Sequence, residues 1–196
     1  MGSTVSSRLD FLRMSADAMT YLHEMGVVHG DVNPSNILVK DDGTPAICDF
    51  GNSHLAGSQY TRTGPPVGTA RYTPPEVISQ DLEEINLEAS DYKTLYYARD
   101  VWSFAMTGLE LISGAVPYHH VDSDVFVLMR IVSGELPDHM HYETVPQCVW
   151  DILIRCWTRD PKGRPTMVEL KNDMDNARKV LGSSPPPESI PEPVSS

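Results

Sequence analysis

Three oxygen-bearing side chains stand in order within the stretch HGDVNPSNILVKDDGTPAICDFG, residues 29 to 51: Asp31, then Asn36, then Asp49 beyond an apolar run Ile37-Leu38-Val39. A carboxylate can accept the proton of a hydroxyl nucleophile. A second carboxylate and an amide oxygen can hold magnesium, a hard cation that takes oxygen ligands and keeps several waters. These are the demands of phosphoryl transfer, in which the protein positions the nucleophile and neutralises phosphate charge rather than forming bonds itself. Taken singly, each residue has a plainer reading, because Asp before Val-Asn-Pro suits a turn and Asp-Phe-Gly is a common loop tripeptide. Order and spacing together carry the signal.

The elements around this stretch must bring the three side chains together. From Arg8 to Met25 the apolar residues Leu9, Leu12, Ala16, Met19 and Leu22 recur three or four apart, which predicts one face of a helix, and Gly26 suits a left-handed cap after it. Val27-Val28 reads as a short strand. Residues 37–40 and 44–48 flank Asp41-Asp42-Gly43, a hairpin turn signal, and such a hairpin returns Asp49 to the neighbourhood of Asn36. Further helices are predicted at Asp100–Ala105 continuing through Glu110, at Phe126–Ile131, at Val149–Trp157 and at Met167–Leu181.

The spacing Asp31, Asn36 and Asp49-Phe50-Gly51 resembles the catalytic loop and magnesium loop of protein kinases. The His-Gly-Asp start also resembles small-molecule phosphotransferases, which remain a remote alternative at this point. Downstream, Gly68 to Glu76 is similar to the substrate-docking end of a kinase activation segment, Asp100-Val101-Trp102 to the helix motif that braces the catalytic loop, and Asp160 to Thr166 to the segment whose Arg pairs with the Glu at Glu76. Cys156-Trp157 points to the tyrosine-kinase-like branch. That downstream set belongs to protein kinases and favours them over the alternative.

The resemblance implies a mainly α fold, the helical C-terminal (large) lobe of the protein kinase-like fold with a short β-hairpin. It implies a lobe over residues 1–182, with 77–97 an acidic surface insertion and 183–196 a disordered tail rich in Pro and Ser. It also implies roles: Asp31 accepts the substrate hydroxyl proton, Asn36 and Asp49 hold magnesium, Leu38 forms the floor under an adenine ring, and Thr69 contacts Asp31. ATP and magnesium are the implied cofactors, and a protein substrate or protein partner the implied ligand.

Departures from the family pattern are visible. No Gly-rich loop and no strand Lys precede His29, so the N-terminal β-lobe is expected to be absent. Gly30 replaces the usual Arg, and Ser35 is not the Arg of tyrosine kinases. Asn33 stands where Ser/Thr kinases place a lysine against the transferred phosphate; an amide can donate there but brings no charge. Two functions follow as expectations: a protein kinase large lobe that transfers the ATP γ-phosphate to Ser/Thr hydroxyls, impaired or inactive alone, or a pseudokinase-like protein-binding module.

Composition bounds these readings. The 196 residues suffice for one domain with a substantial core, and 40% hydrophobic content without a long apolar run predicts no transmembrane segment. A net charge of −12 disfavours nucleic acid and anionic membranes. Three cysteines without paired spacing, and no secretory signal, predict reduced thiols in a cytoplasmic or nuclear protein that is not secreted.

Overall fold

The computed structural model describes residues 4–56, 69–79 and 89–183. Helix α1 (Val5–Glu24) opens where the Thr4 hydroxyl accepts from the Ser7 N–H at 3.2 Å. It closes before Gly26, whose φ of 78° is the left-handed conformation a glycine adopts without penalty. Its predicted stripe is the buried one: Leu9, Leu12, Ala16 and Met19 are fully buried, with Leu22 partly so.

Two small antiparallel sheets follow. Strand β1 (Val27–Val28) pairs with β4 (His54–Leu55), which the sequence did not announce, since two residues cannot display an alternation. Strand β2 (Ile37–Val39) pairs with β3 (Pro45–Ile47) in the register Ile37↔Ile47, Leu38↔Ala46 and Val39↔Pro45. The turn between them is closed by Asp42, whose Oδ1 accepts from both N–H and hydroxyl of Thr44.

The remaining elements are helical: α2 (Pro75–Ile78), α3 (Ala89–Ser113), α4 (Asp124–Ser133), α5 (Gln147–Cys156) and α6 (Met167–Ser183). Helix α3 runs through the centre, burying Trp102, Phe104, Met106, Leu109 and Ile112 against α1 and α5. Helix α6 starts at a capping box, Glu169 Oε2 accepting from the Thr166 N–H at 2.8 Å while the Thr166 hydroxyl accepts from the Glu169 N–H at 3.2 Å. It then packs antiparallel on α1, with Asp10–Arg178, Arg13–Asp175 and Asp17–Lys171 paired along the seam. These are surface pairs worth a few tenths of a kcal/mol, about 0.2–1 each, so apolar burial holds the two helices together.

Within the acidic stretch 77–97, Ile78 ends α2, residues 89–97 belong to α3 and Tyr96 is buried, while 80–88 lie outside the described residues. The tail expected at 183–196 lies outside the described residues save Ser183, the last residue of α6. Among the described residues no helix is long and apolar enough to cross a membrane.

Candidate active site

One buried carboxylate holds the loop between β1 and β2 from beneath. Asp100 on α3 is 1% exposed and accepts from the His29 N–H at 2.8 Å and the Gly30 N–H at 2.9 Å, while His23 Nε2 lies 3.0 Å from the same group. Tyr97 stacks on the His23 ring and donates its hydroxyl to the His23 carbonyl at 2.9 Å, fixing the imidazole on its other face. Burial pushes the Asp100 carboxyl up. The His23 bond and charge and the two backbone N–H groups outweigh that, and hold it below the ordinary carboxylate value.

With its backbone pinned, the loop folds around Asp31. Asn36 Nδ2 donates to the Asp31 carbonyl at 2.8 Å, so the amide oxygen is the end of Asn36 left to a ligand. The main chain of Asn36 continues into the hairpin, its carbonyl accepting from the Cys48 N–H at 3.0 Å, and this sets Asn36 beside the residue preceding Asp49. Asp49 adopts φ 59° and ψ 75°, a left-handed conformation uncommon outside glycine though tolerated by Asp, and is exposed. Its Oδ1 accepts from the Gly51 N–H at 3.2 Å. Asp31, Asn36 and Asp49 thus sit on one continuous hydrogen-bonded frame.

The donor set is of the hard-oxygen kind that magnesium takes. Among the described residues no three His, Cys, Asp or Glu side chains are grouped to hold a metal. One carboxylate and one amide oxygen suit a cation that fills its shell with water and phosphate oxygens.

Asn33 lies within the same loop. It is 5% exposed, its Nδ2 donates to the Asp31 carbonyl at 3.1 Å and lies 3.4 Å from Asp31 Oδ1, and its Oδ1 accepts from the Ser35 N–H at 3.0 Å. Both ends of the amide serve the loop and the turn Pro34–Asn36, so Asn33 braces the loop. The short amide lacks the reach a lysine would have. Leu38 stands on β2 with 52% of its surface exposed.

Two contacts to the loop were not legible in the sequence. Asn52 Nδ2 donates to Asp31 Oδ2 at 3.3 Å, and the Ser53 hydroxyl donates to the His29 carbonyl at 2.9 Å. Asn and Ser after a glycine look like loop polarity; only the β1–β4 pairing discloses what they face.

Thr69 opens the turn Ala70–Tyr72, and its carbonyl accepts from the Thr73 hydroxyl at 3.0 Å. The turn is anchored on both sides. Arg71 donates to the carbonyls of Pro117, Tyr118 and Val121 at 2.8–2.9 Å and pairs with Asp124, while the Tyr72 hydroxyl donates to Glu110 and the Tyr72 carbonyl accepts from the Ser103 hydroxyl at 2.8 Å. Glu76 meets Arg164 in a two-pronged pair at 2.7 and 2.8 Å, as the resemblance implied. The buried guanidinium also donates to Ala98 and Thr158 carbonyls and lies over the Trp102 ring.

Comparison with known proteins bears on the whole arrangement. A family model described as protein tyrosine and serine/threonine kinase matches residues 2–174. The dual specificity mitogen-activated protein kinase kinase hemipterous of Drosophila melanogaster is 32% identical over 159 residues, covering 80% of this chain and 13% of that protein. Mitogen-activated protein kinase kinase kinase 12 of Rattus norvegicus is 30% identical over 185 residues, 93% of this chain and 19% of that protein. The 3-phosphoinositide-dependent protein kinase 1 of Arabidopsis thaliana is 29% identical over 199 residues, 91% of this chain. The chain spans 37% of that last relative's length and less of the other two.

Proposed function

Since this chain belongs to the protein tyrosine and serine/threonine kinase family, we propose that it acts as the large-lobe part of a kinase that transfers the γ-phosphate of ATP to Ser or Thr hydroxyls of proteins. The observation that carries the reading is the loop frame: Asp100 fixes the His29 and Gly30 N–H groups, and Asn36 fixes the Asp31 carbonyl. A carboxylate on so constrained a backbone can be presented to a hydroxyl without reorganising, which is where catalysis by positioning gains its rate.

In this reading Asp31 accepts the hydroxyl proton, and Asn33 keeps Asp31 in place. Asn36 and Asp49 hold magnesium, which neutralises phosphate charge when bound. Leu38 lies under the adenine, and Thr69 and its turn present the acceptor segment near Asp31. The names of the relatives, all protein kinases of Ser/Thr or dual specificity type where a specificity is named, support a hydroxyl on a protein as acceptor.

The test is transfer of labelled phosphate from ATP to a panel of Ser/Thr peptides, using the chain joined to a kinase small lobe and Asp31→Asn as control. Transfer that disappears in the variant supports the reading; no transfer by the unmodified protein, or equal transfer by Asp31→Asn, ends it. A second reading, a protein-binding module, draws on α4, which leaves Val125, Phe126 and Met129 each more than half exposed on one face. It predicts a fold whose melting temperature is unmoved by ATP and magnesium.

A further inference from the structure

Gly30 and Asn52 meet at a junction with no room for a side chain. Gly30 has φ of 79°, and a Cβ there would stand 2.6 Å from the carbonyl oxygen of Asn52. That atom belongs to the backbone, which cannot step aside as a side-chain tip would. Any residue other than glycine therefore meets two penalties, the left-handed backbone and the contact.

The close approach is the centre of a longer seam. On one side, the Ser53 hydroxyl donates to the His29 carbonyl at 2.9 Å, β4 pairs with β1, and the Ala56 N–H donates to the Gly26 carbonyl at 2.8 Å. On the other side, the carboxamide of Asn52 reaches Asp31 Oδ2 at 3.3 Å. The opposite oxygen of Asp31 has Asn33 Nδ2 at 3.4 Å. The carboxylate is held between two amides, one from its own loop and one from the segment after Asp49. Asn33 is fixed by its own turn, whereas Asn52 is delivered only if the chain at 52 can lie against residue 30.

We propose that Asn52 is a positioning residue for Asp31, and that the absence of a side chain at residue 30 is what lets it act. The inference rests on the reading of Asp31 as the proton acceptor for its catalytic consequence, but not for its geometry. With Asn52 in place, Asp31 keeps one rotamer, its Oδ2 turned to the seam and its other oxygen toward the Asn33 side. Removing the amide frees the carboxylate to rotate. A hydrogen bond to a charged group of this length is worth about tenfold in an equilibrium, which sets the size of the effect.

Two measurements test this. The first needs no activity: side-chain coupling constants of Asp31 in isotopically labelled protein report a single χ1 rotamer in the unmodified chain and averaged rotamers in Asn52→Ala, while Gly30→Ala raises the hydrogen-exchange rates of the Ala56 and β4 amides about tenfold. The second is transfer by the chain joined to a small lobe. There Asn52→Ala lowers kcat about tenfold with KM for ATP and peptide unchanged, Asn52→Asp, the same shape with an acceptor facing Asp31, lowers it further, and Asn52→Gln, which keeps the donor, recovers part of it.

A purely structural Asn52 would tolerate Asp as well as it tolerates Ala and would change KM with kcat. An Asp31 that stays in one rotamer in Asn52→Ala overturns the proposal, and so does equal kcat for Ala and Asp variants. If Gly30→Ala does not fold, the Asn52 variants decide. If the unmodified protein transfers no phosphate, the proposed function fails while the Asp31 rotamer still decides this inference.

Discussion

Replacing Asp100 by alanine removes one acceptor group from three donors at once: the His29 and Gly30 N–H groups and His23 Nε2. The site is nearly closed to bulk solvent, Asp100 being 1% exposed. Each orphaned buried donor costs about 1–3 kcal/mol, so three cost about 3–9 kcal/mol before the loop relaxes, and the loss should be about 4 kcal/mol, toward the lower end. A domain of this kind has about 5–15 kcal/mol in all, so the variant stays folded but visibly weakened. The three tryptophans, Trp102, Trp150 and Trp157, are buried and report unfolding by fluorescence. With a urea slope of about 2 kcal/mol per molar, the midpoint should fall by about 2 M. Asp100→Asn keeps one acceptor oxygen and turns an N–H toward a donor, and should lose about half as much.

The same residue fixes a pH response. Its folded-state pKa lies below the ordinary value of 3.8, so the stability it contributes is fully present above about pH 4 and is lost as pH falls through the lower folded value. Asp100→Asn should therefore be less stable at neutral pH and show a shallower acid limb. A midpoint for Asp100→Ala within about 0.3 M of the unmodified protein, or identical acid limbs, would refute the account of how the loop is held.

Other outcomes follow from neighbouring contacts. Arg164→Lys keeps the charge but loses the two-pronged geometry with Glu76 and the bonds to Ala98 and Thr158, and should cost about 3 kcal/mol in urea unfolding. Arg71→Ala should raise amide exchange across residues 69–73 about tenfold or more, since three bonds tie that turn to the loop before α4 and a fourth to Asp124 of α4 itself. Cys156 is fully enclosed and burial pushes its thiol up to about 12, so a chromogenic disulfide reagent at pH 8 should titrate half-buried Cys48 and Cys148 in the native protein and Cys156 only after unfolding.

How far the sequence could be read depended on whether a residue's partner lay nearby in the chain. Helix α1 was legible because its apolar residues repeat with the helical period, and the hairpin because Asp-Asp-Gly sits between two apolar runs. The brace from Asp100 and the pair Glu76–Arg164 came from motif resemblance, since partners 71 and 88 positions apart leave no periodic trace. Strand β4 and the contacts of Asn52, Ser53 and Arg71 were not legible, because each is a polar residue in a loop whose partner is set by tertiary folding. Asn33 took its expected role from a family position that carries a lysine. Its own local turn chemistry, Asn before Pro-Ser-Asn, already pointed inward.

Asp100, Ser103 and Glu110 all project from α3, and between them they fasten two separate parts of the active face: the loop bearing Asp31, and the turn bearing Tyr72. The spacing of those parts is consequently measured out by helix rise, about 15 Å over ten residues. One residue inserted between 104 and 109 would swing Glu110 about 100° around the axis and leave Asp100 where it is. Such an insertion would release the Tyr72 hydroxyl from Glu110 while Ser103 keeps the Tyr72 carbonyl and Asp100 keeps the loop bearing Asp31, so the helix serves as the gauge block of the site.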